Sequence, residues 1–337
     1  MPQDVHLAHK QLLQPLRNAL YDFDETVVSS ELEHAFAKDA KVKLAFPFED
    51  LAGAQGLFEQ AYLPLYRAIP DLERRETIVM AGESADGSHW LGCCGYYTGS
   101  FEKNWLDIPP TGHQVAMRFH EFFRIENNQV VEMQAIWDIP ELMMQANAWP
   151  MVPSLGREWH VPGPATQDGL LMMPRDDINS QASAQLVNDM CVALGEHAVG
   201  GVAAMQLDKY WHPRCSWYGP SGIGTGRGIQ GFRNWHQIPF LNAMPNRIGD
   251  VEQGYLFADG NYVGFTAWPG MKMTISHGGW LGIAPSNQSI TMRSLDFWRC
   301  ENGLLRENWV LVDLLHVYHQ LGVDVFARMR EFNKARR

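Results

Sequence analysis

The spacing of apolar residues predicts two rounds of helices followed by strands. In residues 31–38 and 182–212, apolar side chains recur every three to four positions, which is typical of amphipathic helices. The segments 57–68 and 232–243 each lie between a glycine-containing turn and a proline, and these boundaries predict a helix in each segment. In each half of the chain we therefore expect the helices to precede the strands.

Strand-like runs separated by turns follow each helical region. They are 76–82, 89–100, 115–126 and 130–137 in the first half, and 250–257, 262–277, 288–300 and 304–312 in the second. The last two runs of each half are joined by Asn127-Asn128 or by Asn302-Gly303, residues that tolerate the positive φ of a tight hairpin turn. Helices followed by hairpin-connected strands predict an α+β fold and not a doubly wound parallel sheet.

One half of the chain repeats the other at an offset of 175 residues. Gly53-Ala54-Gln55-Gly56 aligns with Gly228-Ile229-Gln230-Gly231, and Trp105-Leu106 aligns with Trp280-Leu281. The alignment continues without a gap for about ninety residues, a period far longer than that of a solenoid repeat. We interpret it as the duplication of a whole domain.

A proline-rich segment separates the two copies. Residues 147–177 contain five prolines and three glycines, and because proline fixes φ and lacks a backbone donor, we expect an extended, semi-rigid connector. Its apolar residues, among them Trp149 and Trp159, indicate that it packs along the domains. We therefore predict a first domain at 1–150, the connector at 151–177 and a second domain at 178–337.

Composition and charge exclude several functional classes. The chain has 337 residues, 46% of them apolar and 19% charged, with a formal net charge of −11. The acidic balance argues against nucleic-acid binding, which needs a basic surface, and against a polybasic membrane anchor. No apolar stretch is long enough to cross a membrane, and the first twenty residues lack the basic start and apolar core of a secretory signal. We expect a cytoplasmic protein without nucleic-acid or membrane partners.

The cysteines and histidines do not form a recognisable metal motif in the sequence. The five cysteines comprise one adjacent pair and three isolated residues, which is neither a disulfide framework nor paired zinc spacing. His316 and His319 are three residues apart on a predicted helix, but no third ligand accompanies them. We therefore expect no metal and no cofactor.

An ordered set of motifs runs through the strands of both copies. The first copy contains Gly95-Tyr96-Tyr97-Thr98-Gly99, Ile108-Pro109-Pro110-Thr111-Gly112 and Trp137-Asp138, and the second contains Gly282-Ile283-Ala284-Pro285 and Gln320-Leu321-Gly322. Together these motifs resemble the SnoaL-like polyketide cyclase family of the nuclear transport factor 2-like superfamily. The resemblance implies two tandem cone-shaped α+β domains, each with a curved, mostly antiparallel sheet packed on helices.

Two aspartates, Asp138 and Asp313, follow the last strand of each copy after an apolar run. A carboxylate at the mouth of an apolar pocket loses hydration, which raises its pKa and suits acid/base catalysis. The resemblance implies that an aspartate here exchanges a proton with the substrate during an intramolecular aldol closure. The alternative is a helix N-cap, because Asp138-Ile139-Pro140-Glu141 fits a capping box, whereas the segment after Asp313 lacks the glutamate. We take Asp313 as the principal acid/base residue and Asp138 as its counterpart.

Asp296 and His277 are candidates for assisting roles. Strand alternation places Asp296 on the same face as Ser294 and Trp298, so that it converges on Asp313 if this face lines the pocket. An outward salt bridge to a neighbouring arginine is the alternative. His277 would protonate a developing enolate oxygen, a task suited to an imidazole near neutral pH, or would lie in an exposed turn.

Aromatic side chains are expected to form the floor of a pocket for a ring-shaped substrate. The predicted substrate-binding residues are Trp217, Tyr218, Trp268, Trp298 and Trp309 in the second copy, and Tyr97 and Trp137 in the first. Because the second copy has more of them, we expect it to hold the active pocket.

Taken with the resemblance, these residues predict a cofactor-independent enzyme that acts on a hydrophobic carbonyl compound by aldol-type cyclisation, isomerisation or dehydration. The alternative is a non-catalytic carrier of a small hydrophobic metabolite. We expect a monomer whose two domains mimic a dimer, or a homodimer.

Overall fold

The structure, a computed structural model, describes residues 4–249 and 254–335 and divides the chain into two units. Unit 1 contains the residues up to 150, residues 165–174 and the segment from 324 onwards, and unit 2 contains 151–164 and 175–323. Each unit has one sheet packed on helices, which confirms the predicted α+β class and the tandem arrangement. Among the described helices, none combines the length and the apolar character that crossing a membrane requires.

Unit 1 has three helices before its first strand. Its elements up to residue 150 are α1 (Val5–Leu12), α2 (Gln14–Tyr21), α3 (Glu25–Ala35), β1 (Phe36–Leu44), β2 (Glu49–Leu51), α4 (Gly53–Leu57), a π-helical turn (Phe58–Tyr62), α5 (Leu63–Ala68), β3 (Glu73–Glu83), β4 (His89–Ser100), β5 (Gln114–Glu126), β6 (Gln129–Trp137) and α6 (Ile139–Gln145). The strand order in the sheet is β2-β1-β6-β5-β4-β3, and only β1 and β6 pair in parallel.

Unit 2 follows the same plan. Its elements are α7 (Asp177–Gly195), α8 (His197–Ala204), α9 (Leu207–Tyr210), β7 (Trp211–Tyr218), β8 (Thr225–Arg227), α10 (Gly228–Phe232), a π-helical turn (Arg233–Gln237), α11 (Ile238–Ala243), β9 (Ile248–Gly249), β10 (Gly254–Asp259), β11 (Tyr262–Thr274), β12 (Ser289–Glu301), β13 (Leu304–Val312) and α12 (Leu314–Gln320). The strand order is β10-β11-β12-β13-β7-β8, with β9 beside β11, and only β13 and β7 pair in parallel.

The offset of 175 residues holds in three dimensions. The bounds of β5, β6, α4, α5 and α6 coincide at this offset with those of β12, β13, α10, α11 and α12, and the two π-helical turns coincide as well. A position in one unit therefore has a structural counterpart in the other, which allows the two interiors to be compared side chain by side chain.

Two strands differ from the sequence-based expectation. Residues 36–38 belong to β1 instead of a helix, and 211–212 belong to β7, so that the predicted helix 182–212 is in fact α7, α8 and α9. Each of these strands pairs in parallel with the last strand of its unit, which is distant in sequence, and local periodicity does not record such a pairing. Of the predicted strand 250–257, residues 250–253 lie outside the described residues.

The domain boundaries also differ from the expected ones. The proline-rich connector does not act as a spacer, since residues 151–164 pack with unit 2 and 165–174 with unit 1. The last helix, α13 (Val325–Lys334), belongs to unit 1 and not to the second domain. Within unit 1, the ring of Phe326 lies 6.3 Å from that of Phe46, and Arg330 forms an ion pair with Asp107 at 3.0 Å. These tertiary contacts have no local signature in the sequence.

Candidate functional site

Unit 2 contains a cavity of about 260 Å³ between one face of its sheet and the helices that cover it. The helices α7, α10 and α11, together with the π-helical turn at Arg233–Gln237, form one wall, and β11, β12 and β13 form the other. Most of the lining is apolar and includes Met190, Leu194, Phe232, Phe240, Leu241 and Met292. Polar groups in such surroundings keep little hydration, so their partners decide their chemistry.

Strand β12 brings Asp296 into the cavity. Alternate residues of a strand share a face, and Met292, Ser294, Asp296 and Trp298 all line the cavity. The Asp296 residue is 7% exposed, and its Oδ2 accepts a hydrogen bond from Ser294 Oγ at 2.6 Å. In the part of the chain that the structure describes, Asp296 forms no ion pair. Burial raises the pKa of Asp296 to about 7, although hydrogen bonds from Ser294 and Asn308 act in the opposite direction.

His236 lies across the cavity wall from the sheet and is stacked on a tryptophan. It is the fourth residue of the π-helical turn, and its ring lies parallel to that of Trp217, with 3.9 Å between centroids. Burial, and to a smaller extent the charge of Arg247, lower the pKa of His236 to about 3. The imidazole is therefore neutral at physiological pH and offers the cavity a polar but uncharged ring.

Four buried polar atoms on lining residues have no hydrogen-bond partner among the described residues. They are the indole Nε1 atoms of Trp211 and Trp298, the Nδ1 atom of His236 and the Oε1 atom of Gln237. Buried polar groups in native proteins are nearly always paired, and an unpaired one costs roughly 1–3 kcal/mol. Four of them around one cavity indicate that water or a ligand with several polar atoms completes the set.

Arg247 is the one arginine or lysine among the described lining residues. Its Nη2 donates to the backbone oxygen of Leu194 at 3.2 Å, and its guanidinium lies 5.4 Å from the ring centroid of Phe240. Burial lowers the pKa of Arg247 below its ordinary value. The guanidinium retains further N–H donors for an oxygen of a bound molecule.

The corresponding interior of unit 1 is filled by side chains that satisfy one another. Glu121, the counterpart of Asp296, is fully buried and lies 2.6 Å from Arg74 Nη1. Its other carboxylate oxygen accepts hydrogen bonds from Tyr97 at 2.8 Å and from Trp137 at 3.0 Å. Arg74 also donates to the Tyr97 hydroxyl and stacks on the ring of Phe119 at 4.0 Å. The acid in this unit is thus held in a closed network.

Five pairs of counterparts account for the difference between the two interiors. Four follow from the offset, and Tyr97 corresponds to Met271 because it lies opposite Met117 as Met271 lies opposite Met292. In every pair the bulkier side chain belongs to unit 1, and every residue of unit 2 lines the cavity. The pairs are Tyr62 and Gln237, Arg74 and Gly249, Tyr97 and Met271, Phe119 and Ser294, and Trp137 and Val312.

The structure brings only some of the predicted site residues together. Asp296, Trp217 and Trp298 line the cavity. Asp138 and Asp313 do not: each is 3% exposed, caps the helix that follows it and faces an arginine of the preceding strand. The distances are 3.4 Å from Asp138 to Arg118 and 3.0 Å from Asp313 to Arg293. Both aspartates therefore take the helix-capping arrangement that the sequence left open as the alternative.

The other predicted site residues lie elsewhere. His277 is exposed in a turn with φ of 49°, and its Nδ1 contacts the Ser276 hydroxyl. In unit 2, Tyr218 bonds to Glu307, Trp309 donates to the backbone oxygen of Pro162, and Trp268 packs under Arg293, so none of the three lines the cavity. Tyr97 and Trp137 belong to the closed network of unit 1. Adjacency to turns and apolar runs does not determine which face a side chain occupies.

His236, Gln237, Trp211 and Arg247 were not predicted as site residues. Their helices and loops have no motif, and each residue type is common in protein cores. The repeat does hold a signal for one of them, because Gln237 replaces the tyrosine found at its counterpart position in the first copy. Loss of bulk between matched positions is a sequence feature that points to a cavity.

Comparisons with known proteins identify one family. The model of the SnoaL-like polyketide cyclases matches residues 15–146 and 202–321. Among solved structures, AclR from Streptomyces galilaeus is 19% identical, covers 43% of this chain and 84% of its own, and has a TM-score of 0.36. IdmH from Streptomyces antibioticus gives 16%, 41%, 98% and 0.35, and a SnoaL-like polyketide cyclase from Agrobacterium tumefaciens gives 17%, 41%, 96% and 0.32. No curated protein sequence matches the chain.

Proposed function

The chain belongs to the SnoaL-like polyketide cyclase family, and from this premise we propose that unit 2 is a cofactor-independent acid/base enzyme for a small apolar carbonyl compound. Asp296 is the residue that carries the proton. The proposal differs from the expectation for Asp313, because Asp296 and not Asp313 lines the cavity.

One observation carries this proposal: Asp296 is the one carboxylate among the described residues that line an apolar cavity. A general acid or base works best when its pKa lies near the working pH, and that of Asp296 is raised to about 7. At neutral pH the enzyme is therefore a mixture of the carboxylate, which accepts a proton, and the acid, which returns it.

The chemical step follows from this pair of states. The Asp296 carboxylate accepts the proton from the carbon beside a substrate carbonyl, and the electron pair of that C–H bond forms the enolate. In an aldol closure, the enolate carbon attacks a second carbonyl of the same molecule, and Asp296 returns its proton to the alkoxide so formed. In an isomerisation, the proton returns to another carbon of the enolate. The residue ends each cycle in its starting state.

Donors around the cavity are suited to the enolate oxygen. The indole N–H groups of Trp211 and Trp298 have no protein acceptor, and Arg247 supplies a positive charge. Donors that are already in place stabilise developing negative charge without reorganising. The neutral imidazole of His236 and the amide of Gln237 would bind further oxygens of the substrate.

The size of the cavity restricts the substrate class. At about 260 Å³ it is slightly below the roughly 300–1,000 Å³ of pockets for drug-sized ligands. One or two fused rings fit better than a large polycyclic skeleton. Aromatic walls and a few convergent polar atoms suit an oxygenated ring compound.

The test uses 2-tetralone, a bicyclic ketone with acidic hydrogens beside its carbonyl. In deuterated buffer the wild type is expected to accelerate exchange of these hydrogens, followed by proton nuclear magnetic resonance. Asp296→Asn removes the proton carrier and should reduce the enzymatic exchange about 10²–10⁴-fold. Asp313→Asn, the same change at a buried aspartate outside the cavity, should keep exchange in the folded protein.

The opposite pattern, with exchange lost in Asp313→Asn and kept in Asp296→Asn, would refute the assignment. Tight binding of 2-tetralone and of related bicyclic ketones without any exchange would instead favour the carrier function. Circular dichroism of every variant ensures that only folded protein is compared.

A further inference from the structure

Three histidines of unit 1 meet outside the interior described above. His6 and His9 lie one turn apart on α1, and His89 is the first residue of β4. One ring nitrogen from each lies within 4.8 Å of the others, and the ring centroids are 6.4, 5.6 and 5.2 Å apart. None of the three rings is stacked parallel on another, and the ring planes are inclined at 57–82°.

These separations are close to those of a three-histidine metal site. With Zn–N bonds of about 2.0–2.1 Å, the nitrogens of a tetrahedral site are about 3.3 Å apart. Small rotations of the side chains are enough to bring nitrogens at up to 4.8 Å to this spacing.

The cluster is buried and its nitrogens are available. His9 is 5% exposed, and the Nδ1 atoms of His9 and His89 have no hydrogen-bond partner among the described residues. Leaving such nitrogens buried and unpaired is costly, and a metal ion would satisfy both. Burial and the neighbouring His89 also lower the pKa of His9 to about 4, so its imidazole is neutral, as a metal ligand must be.

The surrounding charges allow a cation. Asp4, the N-cap residue of α1, acts on His9 as a negative charge. The neighbouring Lys10 directs its ammonium away to the backbone oxygens of Leu171 and Met173, at 2.5 and 3.2 Å. No ammonium therefore occupies the place between the three rings.

We propose that His6, His9 and His89 form a binding site for a zinc ion that joins α1 to the start of β4. Three imidazole ligands suit Zn²⁺ and leave a fourth position for water. The ligands come from the N-terminal helix and from the sheet, so the ion would fasten the helix to the sheet. This site is independent of the function proposed for unit 2.

Calorimetric titration of chelator-treated full-length chain with ZnCl₂ tests the proposal. The wild type should bind one Zn²⁺ per chain, and its melting temperature should rise with zinc concentration, because a ligand that binds only the folded state stabilises it. Replacement of zinc by Co²⁺ should give the visible absorption of a four-coordinate cobalt ion with nitrogen ligands.

Two variants and one control locate the ion. His9→Gln and His89→Gln should each lose the stoichiometric binding, the cobalt absorption and the zinc-dependent rise in melting temperature. His113→Gln changes an exposed histidine of the same unit and should retain all three. His89 is only half-buried, so its variant is expected to fold even if that of His9 does not.

Failure of the wild type to bind Zn²⁺ would overturn the proposal. Equal zinc binding by His89→Gln and the wild type would overturn it as well, and so would an equal loss in the His113→Gln control. Zinc binding at this site without any rise in melting temperature would refute the fastening of the helix.

Discussion

At five matched interior positions unit 1 has Tyr62, Arg74, Tyr97, Phe119 and Trp137, whereas unit 2 has Gln237, Gly249, Met271, Ser294 and Val312. The strands and helices that carry these positions have the same bounds at the offset of 175 residues or the same register. The backbone framework was therefore kept after duplication while the interior changed. Side-chain volume at a few positions decides whether this framework encloses a network or a cavity.

The two buried acids show the chemical side of the same difference. Glu121 is paired with Arg74 and accepts hydrogen bonds from Tyr97 and Trp137, so its charge is fixed. Asp296 has hydroxyl and amide neighbours and no described cation beside it, and its pKa rises to about 7. A paired carboxylate contributes to structure, whereas an unpaired one retains the ability to exchange protons.

The largest expected effect comes from opening the network of unit 1. Arg74→Met leaves the Glu121 carboxylate buried without its cation, which should lower the free energy of unfolding by about 3–5 kcal/mol in urea denaturation. Arg75→Met is the matched control, since Arg75 pairs with Glu73 at the surface and should cost less than about 1 kcal/mol. Equal costs would mean that the network does not stabilise unit 1. Adding Glu121→Gln to Arg74→Met should restore part of the loss.

The second prediction concerns the pH dependence that Asp296 gives to unit 2. An unfolded aspartate ionises at 3.8, whereas folded Asp296 keeps its proton up to about 7. The folded state therefore binds more protons between these values, and its stability falls as the pH rises through this window. Asp296→Asn should match the wild type near pH 4 and exceed its stability above pH 7 by roughly 2–4 kcal/mol.

Urea denaturation of both proteins across this pH range measures the difference. Because all other titrating groups are common to both proteins, they cancel in the comparison. A stability difference that does not vary with pH would show that Asp296 ionises normally in the folded protein.

Transfer of bulk from unit 1 to unit 2 should close the cavity. Val312→Trp combined with Ser294→Phe installs two unit 1 residues and should weaken 2-tetralone binding, measured by tryptophan fluorescence, by at least about tenfold, equivalent to 1.4 kcal/mol. Val192→Trp adds the same ring at an exposed position of α7 and should leave binding unchanged. Unchanged binding in the double variant would place the ligand outside the cavity.

The smallest effect is expected from exchanging the hairpin turns. Asn128 and Gly303 are counterparts with φ of 59° and 75°, a conformation that both residue types accept. Asn128→Gly and Gly303→Asn should each change the free energy of unfolding by less than about 1 kcal/mol. Gly303→Val places a β-branched residue in this conformation and should cost about 1–3 kcal/mol. A large loss from either exchange would mean that the two frameworks are not equivalent.

The sequence predicted the framework better than the site. Repeated motifs and turn residues such as Asn127 and Asn302 depend on local backbone chemistry, and they identified the duplicated α+β fold. The parallel pairs of β1 with β6 and of β7 with β13 join distant segments, so no local pattern revealed them. The placement of α13 on unit 1 was unpredictable for the same reason.

Within the site, strand alternation grouped Asp296 with Ser294 and Trp298, the residues that line the cavity. The first choice, Asp313, rested on its position after an apolar strand, and that position equally suits a helix cap. His236 belongs to a π-helical turn, whose extra residue per turn shifts the face that each side chain occupies. Cavity lining depends on such tertiary detail, which residue types alone do not encode.

The assignment of α13 to unit 1 has a consequence for synthesis on the ribosome. The first unit begins to emerge early, yet it acquires its contacts at Phe46 and Asp107 only when residues 324–335 have been translated. Domains usually fold in the order in which they are made. Here the domain that starts first would be completed last, with all of unit 2 already outside the exit tunnel.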